Sequence, residues 1–597
     1  MKKLLMGNEA IAFGAIKAGV NVVCGYPGTP STEVLETVAK NNDCGIYVEW
    51  SVNEKAAMEL AAGASYTGAR VMVTMKQVGL NVASDPLMSL TYIGTNGGMV
   101  IVVADDPGPN SSQTEQDTRH FAKFSNLPVL DPSTPEEAYE MVQYAFELSE
   151  QIGLPVFLRP TTRVCHACAA VEIDNERKEH RPNGFVKSPK WVIFPALAYK
   201  KHIELEKQQD EIAEIFNSCR FNYITGSGNV GIAASGISYA YAHDAVKKLG
   251  LNVKMFKVGT AYPFPAGKAE EFLKGLDKVL VIEELDPVVE EALQLIAYKS
   301  GSRAQIYGKK TGNVPKAGEY SLEKVEKIIS DFMGIEDKTE EETPYPEALP
   351  MRAPNLCAGC PHRASFYAVK QAMKGQKAVF TGDIGCYTLG NAKPLDMTDT
   401  CLCMGASITV AQGIKRAEPD TKLFAFIGDS TFFHTGISGV INALYNGTQI
   451  TIIVLDNSTT AMTGHQPHPG IGKTMMGGLS PKVSIYDTLK GLGVEYVRKI
   501  NPFDQKTAIE AVKEAANQPR VSAIIFEAPC IALFKKECIY KVDTEKCKAC
   551  SRCIKEIGCP AIHLDENKKA EIDTSLCYGC GLCTDVCPFG AIGRDEK

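Results

Sequence analysis

The sequence predicts a multidomain α/β protein that ends in a small α+β module. Apolar runs such as NVVCGYP, RVMVTMK and GMVIVVADDP alternate with helix-patterned segments, as buried parallel strands do. At 597 residues the chain is long enough for roughly four domains of about 150 residues each. Eight cysteines crowd into CKACSRCIKEIGCP and CYGCGLCTDVCP near the end, a density that sets the last stretch apart.

Taken in order, residues 1–185 hold the three apolar runs, each followed by a turn. Between them NEKAAMELAAGASYTGA has helical spacing and no proline. This is an open α/β domain. Residues 186–217, with KKHIELEKQQDEIAEIF, are charged and helix-patterned and read as a connector. A second α/β domain spans 218–335, from FNYITGSGNVGIAASG through KVLVIEELDP. Residues 336–349, within the acidic, proline-bearing GIEDKTEEETPYPEALPMRAPN, are a linker. A third α/β domain, 350–537, carries the strands AVFTGD, KLFAFIGD, QITIIVLDN and SAIIFEAP. The cysteine module, 538–597, contains the one clear internal duplication.

Hydrophobic residues at 45% and charged residues at 22% describe an ordinary globular composition with ample core. The net charge of −7, from 63 basic and 70 acidic residues, argues against a nucleic-acid partner. MKKLLMGNEAIAFGAIKAGV lacks the apolar region and cleavage site of a secretory signal, being interrupted by Glu9 and Lys17. No apolar run reaches the roughly 18 residues of a spanning helix, so no membrane association is expected. Twenty cysteines without a signal point to a reducing cytoplasm and to metal clusters, and exposed clusters to an anaerobic cell.

In the module, Cys547, Cys550, Cys553 and Cys559 run C-x2-C-x2-C-x5-C-P; Cys577, Cys580, Cys583 and Cys587 run C-x2-C-x2-C-x3-C-P. Apart from the longer last gap in the first run, this is the spacing of two-cluster ferredoxins. Three thiolates on one tight loop grip three irons of a cubane, and the fourth lies too far along to close the same loop. One [4Fe–4S] cluster is therefore assigned to Cys547, Cys550, Cys553 and Cys587, and the other to Cys577, Cys580, Cys583 and Cys559. A zinc ribbon would use paired knuckles rather than triples followed by Cys-Pro, and disulfides an oxidising compartment.

In KLFAFIGDSTFFHTGISGVINALYNGTQITIIVLDNSTT one strand ends in Gly428-Asp429-Ser430 and the next in Asp456-Asn457. Open α/β sheets bind ligands at such strand ends. Mg²⁺ takes oxygen ligands in octahedral array and bonds to phosphates. Asp429, Asn457 and a backbone carbonyl just beyond, taken as that of Thr459, offer three oxygens. A diphosphate adds two and water the sixth. The pattern is that of the thiamine diphosphate signature, GDG and a later Asn, with Ser430 in place of the last glycine. Gly-Asp-Ser alone is more often a turn; the downstream Asp-Asn after a second strand favours the Mg–diphosphate reading.

Thiamine also needs a carboxyl group to protonate its aminopyrimidine ring, in an apolar pocket that favours the protonated form. VEWSVNEKAAMELAAGAS offers Glu54 at the start of an apolar helix. The plain alternative is a carboxylate favoured by the helix dipole. Coupled with the Mg²⁺ site, the catalytic reading of Glu54 is preferred.

The chain resembles the 2-oxoacid:ferredoxin oxidoreductases over nearly its whole length, and most closely their arylpyruvate branch. The resemblance rests on GYPGTPSTEV, EWSVNEKAAMELAAGAS, TMKQVGLNVASDPL, VVADDPGPNSSQTEQD, LCAGCPHRASFY, GDIGCYTLG, LDNSTTAMTGHQPHPG and the cysteine module. It implies that 1–185 holds the pyrimidine ring, 350–537 the diphosphate and Mg²⁺, and 218–335 a transketolase-C-like domain. Glu54 matches the pyrimidine-activating glutamate, Asp429 and Asn457 the Mg²⁺ ligands, and Thr29 the threonine that meets the substrate carboxylate. One departure stands out. Pyruvate enzymes carry an arginine for that carboxylate after the strand matching MVIVVADD, where Asp105 or Asp106 stands here. This argues against a pyruvate-type clamp and for a larger 2-oxoacid. Arg159 and Arg163 in FLRPTTR read as structural or surface residues.

The resemblance also implies a third [4Fe–4S] cluster beside thiamine, held by Cys357, Cys360, Cys386 and Cys530; the alternative is a structural C-x2-C. Cys165, Cys168, Cys401 and Cys403 read as structural. Of His465 and His468, just past the Mg²⁺ ligand, His465 is the candidate for substrate contact or proton transfer. The implied activity is oxidative decarboxylation of an arylpyruvate with coenzyme A to an arylacetyl-CoA and CO2, reducing an external ferredoxin. A smaller β subunit in an α2β2 assembly is implied as partner. Rival readings are a pyruvate or branched-chain enzyme, a non-oxidative decarboxylase, and an electron-transfer scaffold with an inactive thiamine fold.

Overall fold

Val71–Lys76 and Met99–Ala104 are strands because their Val, Ile and Met side chains alternate between two covered faces. They lie side by side and parallel, Thr74 opposite Val102. The computed structural model describes residues 1–174, 177–335, 353–536 and 538–595, so the linker assigned to 336–349 lies outside the described residues. Two compact units result, Met1–Pro344 and Tyr345–Lys597.

In the first unit a seven-stranded sheet has the order Thr260–Tyr262, Val129–Leu130, Val156–Leu158, Met99–Ala104, Val71–Lys76, Val22–Gly25, Tyr47–Trp50. Its strands are parallel except Thr260–Tyr262, which pairs antiparallel at one edge. That edge strand comes from the second predicted domain, whose own sheet has the order Gln305–Tyr307, Lys278–Ile282, Val230–Ser235, Lys254–Val258, Tyr223–Gly226. The connector holds a long helix, Pro195–Asn217, and is packed rather than free. Leu205 enters the core of the first sheet, and Gln208 Nε2 donates to Ile152 O at 3.0 Å.

The second unit is built on a parallel sheet ordered Ala378–Thr381, Lys422–Gly428, Thr451–Asp456, Ser522–Glu527, Tyr496–Ile500. Phe424 and Phe426 enter one core while Leu423, Ala425 and Ile427 enter the other, so both faces are covered. Two antiparallel ribbons form the cysteine module, Tyr540–Val542 with Ile592–Arg594 and Ile562–Leu564 with Ala570–Ile572. Its Ile557, Leu582 and Val586 pack with Ala364 and Tyr367 of helix Pro361–Ala372. The α/β layers and the small terminal module agree with the fold class expected from the sequence. Among the described residues no helix is long and apolar enough to cross a membrane.

Candidate active site

Register places the ends of Lys422–Gly428 and Thr451–Asp456 together, with Gly428 opposite Leu455. Asp429 follows, 3% exposed. Its Oδ1 accepts from Ser430 N at 2.8 Å and its Oδ2 from Asn457 N at 3.2 Å. His468 brings Nε2 to 3.1 Å from Oδ2, off the angle of a hydrogen bond. His468 Nδ1 accepts from Gly470 N at 3.2 Å, so a neutral ring carries its proton on the side of the carboxylate. Burial pushes Asp429 up, but His468 and the Ser430 N–H outweigh it and hold the group below the usual carboxylate range. Asp456 is pushed up to about 7, first by burial and then by the Asp429 charge.

Asn457 is oriented by a histidine that the sequence reading passed over. Burial, opposed by the Asp429 charge, pushes His362 down to about 4 and keeps it neutral. Asn457 Nδ2 lies 3.3 Å from His362 Nε2, and as donor it leaves Oδ1 on the opposite side. Ser458 takes a left-handed φ of 61°, which reverses the chain after Asn457. Thr459 is buried, and its carbonyl accepts one bond, from Ala461 N at 3.0 Å. Gly428 has no room for a side chain: a Cβ would fall 2.6 Å from the Tyr387 ring. A carboxylate, an amide oxygen and a carbonyl of this kind suit Mg²⁺ holding a diphosphate. His465 is exposed at the tip of the Thr460–Gln466 turn; it is His468 that the structure brings to Asp429.

In the first unit, Glu54 opens helix Glu54–Tyr66, whose N-cap Asn53 accepts from Ala56 N at 2.8 Å. Glu54 is 5% exposed and packs on Gly79, where a Cβ would stand 2.6 Å from Oε1. Thr29 is half-buried, and its carbonyl accepts from Ser111 Oγ at 2.9 Å. Asp105 is fully buried and bonds Arg159 Nε at 2.7 Å; Arg159 also reaches Asp131 at 3.3 Å. Burial still pushes Asp105 up to about 6. Arg163 pairs with Glu319 at 2.5 Å. Both arginines are thus spent on carboxylates of the protein.

The module's thiols line two cavities. One, of about 450 Å³, is walled by Cys559, Cys577, Cys580 and Cys583 of the module, and Cys360 also lines it. The other, of about 340 Å³, is walled by Cys547, Cys550, Cys553 and Cys587. Each takes three cysteines from one run and the fourth from the other, a lining that suits a thiolate-held cubane. Arg363, 2% exposed, borders the larger cavity. Its Nη1 donates to Ile557 O at 2.5 Å and Gly558 O at 2.8 Å, and its Nη2 donates to Leu356 O. Cys386 is pushed up to about 11, by burial and then by the charges of Cys530 and Cys357. Cys360 is buried at the start of helix Pro361–Ala372, and Cys530 N donates to Asn457 O at 3.0 Å. Cys165 is buried, whereas Cys168, Cys401 and Cys403 are exposed.

Comparison with known proteins agrees with this architecture. Residues 13–209 match the family "Pyruvate flavodoxin/ferredoxin oxidoreductase, thiamine diP-bdg", and 225–330 match "Indolepyruvate oxidoreductase domain". Residues 383–526 match "Thiamine pyrophosphate enzyme, C-terminal TPP binding domain", and 570–593 match "4Fe-4S binding domain". Indolepyruvate oxidoreductase subunit IorA of Pyrococcus horikoshii is 43% identical, over 99% of this chain and 97% of its own. The Thermococcus kodakarensis subunit is 44% identical, over 98% and 96%. That of Methanothermobacter thermautotrophicus is 43% identical, over 100% and 98%. Thiamine diphosphate and iron–sulfur clusters are the cofactors these domains hold, and the chain belongs to the family of indolepyruvate oxidoreductase subunit IorA.

Proposed function

We propose that this chain is the catalytic subunit of an indolepyruvate:ferredoxin oxidoreductase that converts arylpyruvates and coenzyme A to arylacetyl-CoA and CO2. The observation that carries the reading is the pairing, in one compact unit, of the Asp429–Asn457 oxygen site with two four-cysteine cavities. Decarboxylation chemistry and cluster-borne electrons belong together only where electrons must leave singly.

Bound thiamine diphosphate supplies the electron sink for loss of CO2. Asp429, Asn457 and the Thr459 carbonyl would hold Mg²⁺ for the diphosphate, with Gly428 and Ser430 shaping the turn. His362 orients Asn457, and His468 stands against the Asp429 carboxylate. Glu54 would hold a proton for the aminopyrimidine of the bound cofactor. Thr29 stands by for the substrate carboxylate. His465, exposed on its turn, serves substrate contact or proton transfer. Cys547, Cys550, Cys553 and Cys587 hold one [4Fe–4S] cluster, and Cys559, Cys577, Cys580 and Cys583 the second. Cys357, Cys360, Cys386 and Cys530 hold a third. The domain limits proposed are those read from the sequence. A smaller β subunit completes an α2β2 enzyme in the cytoplasm, with ferredoxin as acceptor.

The test is viologen reduction by the anaerobically purified chain with its co-expressed small subunit. Indolepyruvate, phenylpyruvate, pyruvate and 2-oxoglutarate are compared, each with and without coenzyme A. Reduction that requires coenzyme A and favours the aryl substrates is expected. Preference for pyruvate, or no reduction with bound thiamine and full iron, overturns the assignment.

A further inference from the structure

A 2-oxoacid brings a carboxylate to the active site, and a carboxylate leaving bulk water needs a cationic or hydrogen-bonding partner. At the C-terminal edge of the first sheet the arginines are already engaged. Arg159 is held by Asp105 and Asp131, Arg119 by Asp117 and Glu283, and Arg163 by Glu319. Lys76 differs. It ends strand Val71–Lys76, one residue before the helix that carries Gly79 against Glu54. Its stem lies on the GYPGTP loop, where a Cβ at Gly28 would fall 3.0 Å from Lys76 Cδ. Its Nζ donates to Ser111 O at 3.1 Å, and Ser111 Oγ donates to Thr29 O at 2.9 Å. Among the described residues no carboxylate pairs with Lys76 within 4 Å, and an ammonium group has further donors to give.

We propose that Lys76 receives the carboxylate of the 2-oxoacid beside Thr29, in the role that Asp105 and Asp106 cannot fill. The inference rests on the 2-oxoacid reading above and deepens it. Burial pushes the Lys76 ammonium down, opposed by the charges of Asp106 and then Glu54, so an arriving carboxylate meets a cation short of solvent. Asp106 also bears on which 2-oxoacids would fit. Asp106, itself held below the usual carboxylate range by Ser111 N and Thr162 against its burial, repels a second acidic group on the substrate. A 2-oxoacid with an uncharged side chain suits this site better than a dicarboxylic one.

The test uses the complete two-subunit complex with Lys76→Met, and Lys76→Gln as a second neutral variant should the first not fold. KM for indolepyruvate is expected to rise about 10- to 100-fold, as for the loss of a charge-assisted hydrogen bond. Affinity for thiamine diphosphate and iron content stay unchanged. Binding of indole-3-propionate and of its neutral amide is measured by calorimetry in parallel. Wild type should prefer the acid, and the variant should lose that preference. An unchanged KM, a preference retained in the variant, or none in wild type overturns the proposal. Because the calorimetric arm needs no turnover, it reads Lys76 even if no 2-oxoacid supports viologen reduction.

Discussion

Asp429 shows how a buried carboxylate is kept charged: two backbone N–H groups and a histidine meet it where solvent does not. The arrangement makes specific demands. Asp429→Ala should weaken Mg²⁺-dependent thiamine diphosphate binding by at least about 100-fold, measured by fluorescence titration; unaltered affinity would reject the metal assignment. His362→Leu frees the Asn457 amide to turn, with an expected loss of about 10- to 100-fold, typical of residues that orient a metal ligand. Glu54→Gln should retain the cofactor and abolish viologen reduction. Asp429 and Asn457 were legible because a strand end, a helix and a second strand end are spaced in the sequence. His362 was not, because a histidine far upstream meets Asn457 only once the sheet is assembled. Of the two loop histidines it is His468 that meets Asp429, and the sequence of a short Pro-rich loop does not say which ring turns inward.

The strands and helices show the same division. Apolar runs predicted the strands of both parallel sheets directly, as side chains covered on two faces leave little room for polar residues. Strand Thr260–Tyr262 could not be placed that way, being short and paired with a strand distant in sequence. The start of helix Ala406–Ala417 is another non-local arrangement. Asp383, just past strand Ala378–Thr381, accepts from Gly405 N at 2.8 Å and Ser407 N at 3.0 Å, doing from afar what an N-cap does locally. Asp383→Ala should destabilise the protein by about 1–2 kcal/mol in denaturant unfolding. After strand Lys278–Ile282, burial pushes Glu284 up to about 7. A carboxyl whose folded pKa exceeds its unfolded value loses stability as pH rises between the two. The melting temperature of wild type should therefore fall against that of Glu284→Gln between pH 5 and pH 8; parallel curves would exclude Glu284 as the cause.

For the molecule as a whole, the module's cysteine spacing was the most informative passage, because ligand geometry acts over a few residues. The interleaving has a consequence that spacing within one run would not produce. Cys587→Ser should remove the cluster whose other ligands are Cys547, Cys550 and Cys553, and Cys559→Ser the cluster of the second run. Paramagnetic resonance of the reduced protein distinguishes them; loss of the cluster nearest in sequence would contradict the crossed assignment. An iron content near 12 per chain fits three cubanes, and one near 8 removes the third.

Arg363 bears on how separable the cysteine module is. A domain swap would cut the chain near residue 538 and graft another electron carrier in its place. The guanidinium that now serves the carbonyls of Ile557 and Gly558 would then lose both acceptors while still tied to Leu356. Stranded donors on a buried charge are unfavourable, so a transplanted module must supply two carbonyls at that spot or be joined by a re-engineered seam.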